Sequence, residues 1–325
     1  MNEDIFKALE KLAGSSVLVI GDIILDQYVW GKVERISPEA PVPVVRIEKG
    51  ESRLGGAANV AKNLKDLGVN VSIAGVVGAD TEGKEILELL DKENINFSNV
   101  LSSKDTCTVT KTRVIAHSQQ VVRLDKEESN NGNTESKAGL ELAQHLEDFL
   151  QKKISQFNAV VVSDYAKGAV TERLLTFLAK LSRKGYLSVK ERPYLLDPHP
   201  NHSSLYKRVS VVKPNKKETE WASGVKINEI KDAVLAAKKL QKLWKVELVV
   251  ITLGEEGMIL YGNGVGEGVH LPTTAKEVFD VSGAGDTVIA VLSAALGAQV
   301  PPLTAGKLAN LAAGIVVQEV GTASV

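Results

Sequence analysis

Short apolar runs alternate with longer amphipathic stretches along most of the chain, a rhythm that predicts strands and helices in turn. Residues 16–25, Ser-Val-Leu-Val-Ile-Gly-Asp-Ile-Ile-Leu, are apolar apart from Gly21-Asp22 and predict a central parallel strand buried on both faces. Further strands are predicted at 69–77, 159–163, 194–196, 209–213 and 246–252. Helices are predicted at 84–93, 138–153, 172–183 and 227–243, with a largely apolar one at 288–296. The stretch 54–64 opens on Gly55-Gly56 and continues as a helix containing Asn59. Strands and helices in this order predict an α/β fold built on a doubly wound, mostly parallel sheet.

Two segments break the rhythm. Residues 28–48 include Pro38, Pro41 and Pro43, which forbid a helix and favour edge strands or extended loops. Residues 106–124 carry the Thr/Val alternation of a strand in Thr108-Val109-Thr110-Lys111-Thr112-Arg113-Val114-Ile115. Together they predict a small sheet standing off the main body as a lid. The stretch 185–194 links the predicted 172–183 helix to the 194–196 strand. With no linker or repeat in view, residues 1–325 are expected to form a single domain.

Composition narrows the class but not the chemistry. Of 325 residues 44% are hydrophobic and the net charge is -1, which suits a large core and gives no reason to expect nucleic acid or a membrane surface as partner. Cys107 is the one cysteine, which rules out an intrachain disulfide framework and fits a reducing cytoplasm. The charged N-terminal stretch lacks the apolar region of a signal peptide. No apolar run approaches the roughly 18 residues of a transmembrane helix.

The chemistry concentrates in a few turns. Asp280-Val281-Ser282-Gly283-Ala284-Gly285-Asp286-Thr287 runs from a strand end into the apolar helix. Its glycines let backbone N–H groups converge at a helix N-terminus, where an anion is favoured, and Asp286 beside them can accept a proton from a nucleophile. The plainer reading is a Gly-rich turn with Asp286 as cap. In Lys213-Pro214-Asn215-Lys216-Lys217-Glu218, Asn215 and Glu218 share one helix face and can hold Mg²⁺ through its waters, or simply cap that helix. Asp22 and Asp26, at a strand's carboxyl end, are candidate hydroxyl binders. Gly55, Gly56 and Asn59 allow close approach of backbone to a ligand, and Thr252 and Gly254 offer a hydroxyl and bare backbone to a nucleotide. P-loop, dinucleotide, H-E-x-x-H and G-x-S-x-G motifs are all missing, and His199 and His202 are expected to be exposed rather than metal-bound.

Gly55-Gly56 with Asn59, Asn215-x-x-Glu218 and Asp280-x-x-Gly283-Ala284-Gly285-Asp286, in that order, resemble the ribokinase-like (PfkB) sugar kinases over essentially the whole chain. Residues 35–43, 119–125 and 320–323 resemble one subgroup, the D-glycero-β-D-manno-heptose 7-phosphate kinases. The resemblance implies phosphoryl transfer from ATP to the sugar's C1 hydroxyl, with Asp286 as base and the Gly283, Ala284 and Gly285 backbone as anion hole. It places Asn215, Lys216, Lys217 and Glu218 beside the ATP phosphates and Mg²⁺, with Thr252, Gly254 and Asn310 along the nucleotide. Asp280 and Ser282 match part of a K⁺ site, and Asp22, Gly55, Gly56 and Asn59 match sugar contacts. Arg113 and Lys167 are expected near the sugar's own phosphate from charge and position, not from a family motif. The lid is expected to clasp a second copy as a homodimer. The rival readings are a kinase for another sugar or nucleoside, and a non-catalytic sugar- or nucleotide-binding regulator. Through Val325 the sequence has no H-x-G-H element of a nucleotidyltransferase, so any such half is expected to lie outside these residues.

Overall fold

The computed structural model describes residues 3–117, 119–128, 135–275 and 281–318. Nine strands form one sheet: β1 (Ser16–Gly21), β4 (Asn70–Gly78), β5 (Asn96–Ser103), β8 (Ala159–Ser163), β9 (Tyr194–Asp197), β10 (Val211–Val212), β11 (Leu248–Thr252), β12 (Met258–Gly262) and β13 (Gly266–Leu271). Their order is β13-β12-β11-β10-β9-β8-β1-β4-β5, parallel from β11 through β5, with β12 and β13 added antiparallel at one edge.

Both faces of the parallel strands are covered, which is why they read as unbroken apolar runs. Val17, Val19, Val161, Leu195 and Val250 point to one core, filled by α2 (Ala57–Asp66), α8 (Ala284–Gly297), α9 (Pro302–Val316) and the buried side of α1 (Glu3–Leu12). Leu18, Ile20, Val160, Val162, Leu196 and Ile251 point to the other, filled by α4 (Lys137–Lys153), α5 (Glu172–Arg183) and α7 (Ile230–Trp244). Helix α8 is buried along nearly its whole length between the sheet and its helical neighbours, so its sequence carries no polar face. No helix among the described residues is long and apolar enough to cross a membrane.

A second sheet of four strands has the order β3-β2-β6-β7, from β2 (Ile23–Ile36), β3 (Pro43–Gly56), β6 (Val109–Ala116) and β7 (Gln119–Lys126). This is the small sheet expected from the two segments that break the rhythm, and its strands run past both. The 16–25 run is corrected: it is not one strand. The chain leaves the main sheet at Gly21 and enters the small one at Ile23, with Asp22 at the crossing. Three strands escape the sequence reading. β5 is largely polar because it is the sheet edge, and β12 and β13 are joined through a glycine-rich turn. The 185–194 link closes on itself through a Ser188–Arg192 bridge, and the Arg192 guanidinium donates to the carbonyls of Phe157 and Tyr186.

Asp80 ties the small sheet to the main body. It caps α3 (Thr81–Lys92) by accepting the Gly83 N–H at 2.8 Å, and it also takes the backbone N–H (2.9 Å) and hydroxyl of Thr108, at the root of β6. Replacing Asp80 by Ala removes a cap and strands the Thr108 donors. We predict a loss of about 2 kcal/mol of stability in urea denaturation; a loss below about 0.5 kcal/mol contradicts this anchoring.

Candidate active site

The carboxyl ends of β1, β8, β9 and β10 meet the head of α8 at one edge of the sheet, the position where open α/β sheets collect ligands. Helix α8 begins at Ala284, earlier than its apolar run suggests, so Asp286 lies in its first turn. The residue before it, Gly283, has φ +80° and no side chain to cap with, so the capping role considered for Asp286 is not what is seen. First-turn N–H groups have no acceptor within their own helix; here the Ala284 N–H turns back to the Val281 carbonyl at 3.3 Å. A Cβ on Gly285 would lie 3.1 Å from Nζ of Lys213, so the bare backbone there lets a buried ammonium sit beside the helix head.

Asp286 is 5% exposed. Its Oδ2 accepts from Nδ2 of Asn59 at 2.7 Å, and its Oδ1 accepts from the Tyr165 hydroxyl at 2.9 Å. Burial pushes its carboxyl up to about 6; nearby Asp197 adds to the rise, while Asn59, Tyr165 and Lys213 oppose it. Asn59 is itself braced: Asn63 Nδ2 donates to its side-chain oxygen at 3.3 Å, and the Thr287 hydroxyl donates to Asn63 Oδ1 at 2.9 Å. The side chain expected to touch sugar therefore spends a donor on Asp286, binding α2 to α8.

Asp22 is also redirected. Its carboxylate accepts the backbone N–H groups of Tyr165 (2.8 Å), Lys167 (3.1 Å) and Ala169 (2.9 Å), gripping the loop after β8. Burial, and then Asp164, push it up to about 6 against those three donors. Asp26 pairs with Arg113, and Arg113 and Arg53 lie over the Tyr28 ring at 5.2 and 5.0 Å. A Cβ on Gly55 would come within 2.3 Å of Asp26 Oδ2, and Gly56 takes φ +57°, so this pair serves the root of the small sheet. Lys167 pairs with Glu127 at 2.6 Å. His202 is corrected: it is 1% exposed, with Nδ1 2.6 Å from Asp164 Oδ2.

On the far side of Lys213, Asn215 and Glu218 form a reciprocal capping box for α6 (Lys216–Ser223), with Glu218 N–H to Asn215 Oδ1 at 2.9 Å and Asn215 N–H to Glu218 Oε2 at 2.8 Å. Asn215 bridges to Thr252, and Lys216 reaches Glu256 in the turn that opens at Gly254, where φ is +64°. Lys217 is exposed at the same helix end. Asn310 is buried on α9 and donates to the Pro272 carbonyl at 2.7 Å. Ser282 lies in the turn before α8, while Asp280, with residues 320–323, falls outside the described residues.

Electrostatically the site is short of positive charge. Lys213 pairs with Asp197 at 2.9 Å, and its pKa is raised, burial being outweighed by Asp197 and Glu218. Asp197 is raised by burial despite this partner, and Glu218 rises to about 7 through burial and then Asp197. Three acidic groups with one ammonium suit a divalent cation. The described residues hold no cluster of three acidic, His or Cys side chains placed to ligate a metal directly. Sequence reasoning missed Lys213, Asp197, Tyr165 and Lys111, whose ammonium lies 5.3 Å from the Tyr165 ring centroid. The signal available was the place of Lys213, Asp197 and Tyr165 at or beside strand ends, which does not say where side chains point.

The model of the pfkB family carbohydrate kinases matches residues 15–325. The bifunctional protein HldE of Geobacter sulfurreducens is 43% identical over 310 residues, covering 95% of this chain and 61% of that protein. Its namesake in Helicobacter pylori is 41% identical over 307 residues, covering 94% and 64%. The chain thus spans about three-fifths of the length of these relatives. Among solved structures, Arabidopsis thaliana ribokinase complexed with ribose and ATP superposes with a TM-score of 0.71 at 21% identity, covering 95% of this chain and 94% of that one. Escherichia coli phosphofructokinase-2 in complex with potassium gives 0.70 at 18%, covering 95% and 94%. These two likenesses establish the ribokinase-like fold.

Burial of Asp286 carries a stability consequence. Its folded value of about 6 exceeds the ordinary 3.8, so ionising it disfavours the folded state as pH rises through that window. We predict that Asp286→Asn is more stable than wild type at pH 7.5 by about 2 kcal/mol, with the gap closing toward pH 4. Urea denaturation across pH reads this; a variant less stable at pH 7.5 contradicts it.

Proposed function

The chain belongs to the pfkB family of carbohydrate kinases, and on that premise we propose that it transfers the γ-phosphate of ATP to the C1 hydroxyl of D-glycero-β-D-manno-heptose 7-phosphate, giving the 1,7-bisphosphate. The product serves ADP-heptose and lipopolysaccharide core synthesis in the cytoplasm. The observation that carries the reading is Asp286, buried and braced in the first turn of α8 with Lys213 beside it. The heptose assignment rests on the 35–43 and 119–125 stretches, together with the HldE relatives.

Asp286 takes the proton of the C1 hydroxyl as it attacks. The first-turn amides from Gly283 to Asp286 and the Lys213 ammonium neutralise charge gathering on the transferred phosphoryl group. Asn215 and Glu218 are the residues that would hold Mg²⁺, which when bound would supply further charge neutralisation at the ATP phosphates. Lys216, Lys217, Thr252, Gly254 and Asn310 border the nucleotide, and Asp280 with Ser282 would help to hold a K⁺ ion. Gly55, Gly56 and Asp22 form the sugar floor, the last through the loop it holds. Arg113 and Lys167 face the sugar's phosphate from the small sheet and that loop. The small sheet acts as a lid that keeps water from the phosphoryl group. Its exposed Ile36, Ile47, Val122 and Leu124 suit a homodimer contact.

ADP release, measured with ATP, Mg²⁺ and a panel of sugars and sugar phosphates with and without K⁺, tests the assignment. Heptose 7-phosphate should be the best acceptor; its ranking among the poorest overturns the substrate. Because the base must be ionised, kcat/KM should fall as pH drops below about 6, the value to which Asp286 is raised. Asp286→Asn should bind ATP normally and lose about 10²–10⁴ in kcat. Near-wild-type turnover removes Asp286 from this role.

A further inference from the structure

We propose that Tyr165 is a positioning residue for Asp286, its hydroxyl donating to the carboxylate and aiming it while Lys111 of the small sheet lies over the phenol ring. The inference rests on the kinase reading for its link to turnover, and on geometry for the rest. A buried tyrosine finds a hydrogen-bond partner in most proteins. Here the partner is the candidate base, at 2.9 Å on Oδ1, while Asn59 holds Oδ2. Each oxygen receives one donor, which fixes the carboxylate plane and leaves it lone pairs for an incoming hydroxyl.

The loop that presents the phenol is over-determined. Asp22 accepts three of its amides, including that of Tyr165 itself. Ala166 takes φ +54°, and its N–H is caught by Asp164 Oδ1 at 2.9 Å. Asp164 Oδ2 is in turn held by His202 at 2.6 Å and by the Tyr206 hydroxyl at 2.7 Å, all buried. Strain at a non-glycine residue persists where the surroundings enforce it. The Lys111 ammonium, on β6 of the small sheet, lies over the ring.

Burial, and next the Asp286 charge, hold the Tyr165 phenol well above its ordinary value, so it stays a donor over the working pH range. Donation to a carboxylate favours the ionised form. The other groups facing Asp286 are Asn59 on α2, Asp197 at the end of β9 and Lys213 after β10, and a substitution at 165 removes none of them. Losing the hydroxyl should therefore move one titration in one direction, an effect that support of the fold alone would not produce.

The test uses the full chain with Tyr165→Phe and, separately, with 3,5-difluorotyrosine placed at 165, a near-isosteric and stronger donor. Two readouts are taken: the acid limb of kcat/KM with heptose 7-phosphate and ATP, and the carboxyl titration of Asp286 by ¹³C NMR of aspartate-labelled protein, its signal assigned by its loss in Asp286→Asn. The Phe variant should raise both midpoints by about half to one pH unit, and the fluorinated residue should lower them. Midpoints equal to wild type in both proteins overturn the proposal, even if kcat falls. If wild type shows no turnover with the heptose, the substrate assignment fails, and the NMR midpoints still decide the role of Tyr165.

Discussion

Charge held out of water at the carboxyl edge of the nine-stranded sheet is the constraint around which this molecule is arranged. Asp22, Asp164 and Asp286 are buried there, Asp197 lies beside them, and Lys213 is the one lysine buried in the same layer among the described residues. Carboxylates in such a place are costly unless hydrogen-bonded or paired. Each has found a distinct answer. Asp22 takes backbone amides, Asp164 takes a histidine and a tyrosine, Asp197 takes the lysine, and Asp286 takes one amide and one phenol. What remains is a shortage of positive charge beside a helix head, which a bound divalent cation would relieve.

The fold delivers this layer through its topology. Parallel strands end at one edge, so their terminal residues converge although they are far apart in sequence. Tyr165 and Asp286 are separated by 121 positions, and Asn59 and Asp286 by 227. The chain crosses between its two sheets at Asp22, so the residue that grips the 164–169 loop also marks the hinge of the small sheet. Gly55 at the same root is pressed against Asp26, a residue of the small sheet's first strand.

Much of this was legible in the sequence. The buried parallel strands announced themselves as apolar runs, the glycines before Asp286 marked a helix head, and the prolines of 28–48 excluded helix and pointed to a separate sheet. The misses share a physical cause. Apolarity across 16–25 is the same on either side of Asp22, so hydropathy cannot show a strand changing sheets. His202 looked like a loop residue because its neighbours are Pro200 and Asn201, yet Asp164 draws it inside. The roles of Tyr165, Lys111 and Lys213 depend on where side chains point across long sequence separations, which local pattern does not carry. Asn215 and Glu218 met the opposite fate: spacing flagged them for metal, and their own atoms first complete a helix cap.

The most direct measurement of the central claim is a crystal structure of the protein with a non-hydrolysable ATP analogue, Mg²⁺ and heptose 7-phosphate. The account predicts the terminal phosphate of the analogue at the head of α8, against the Gly283–Asp286 amides and Lys213, with the sugar's C1 hydroxyl hydrogen-bonded to Asp286. A phosphate seated elsewhere, or an acceptor hydroxyl out of reach of that carboxylate, would contradict it.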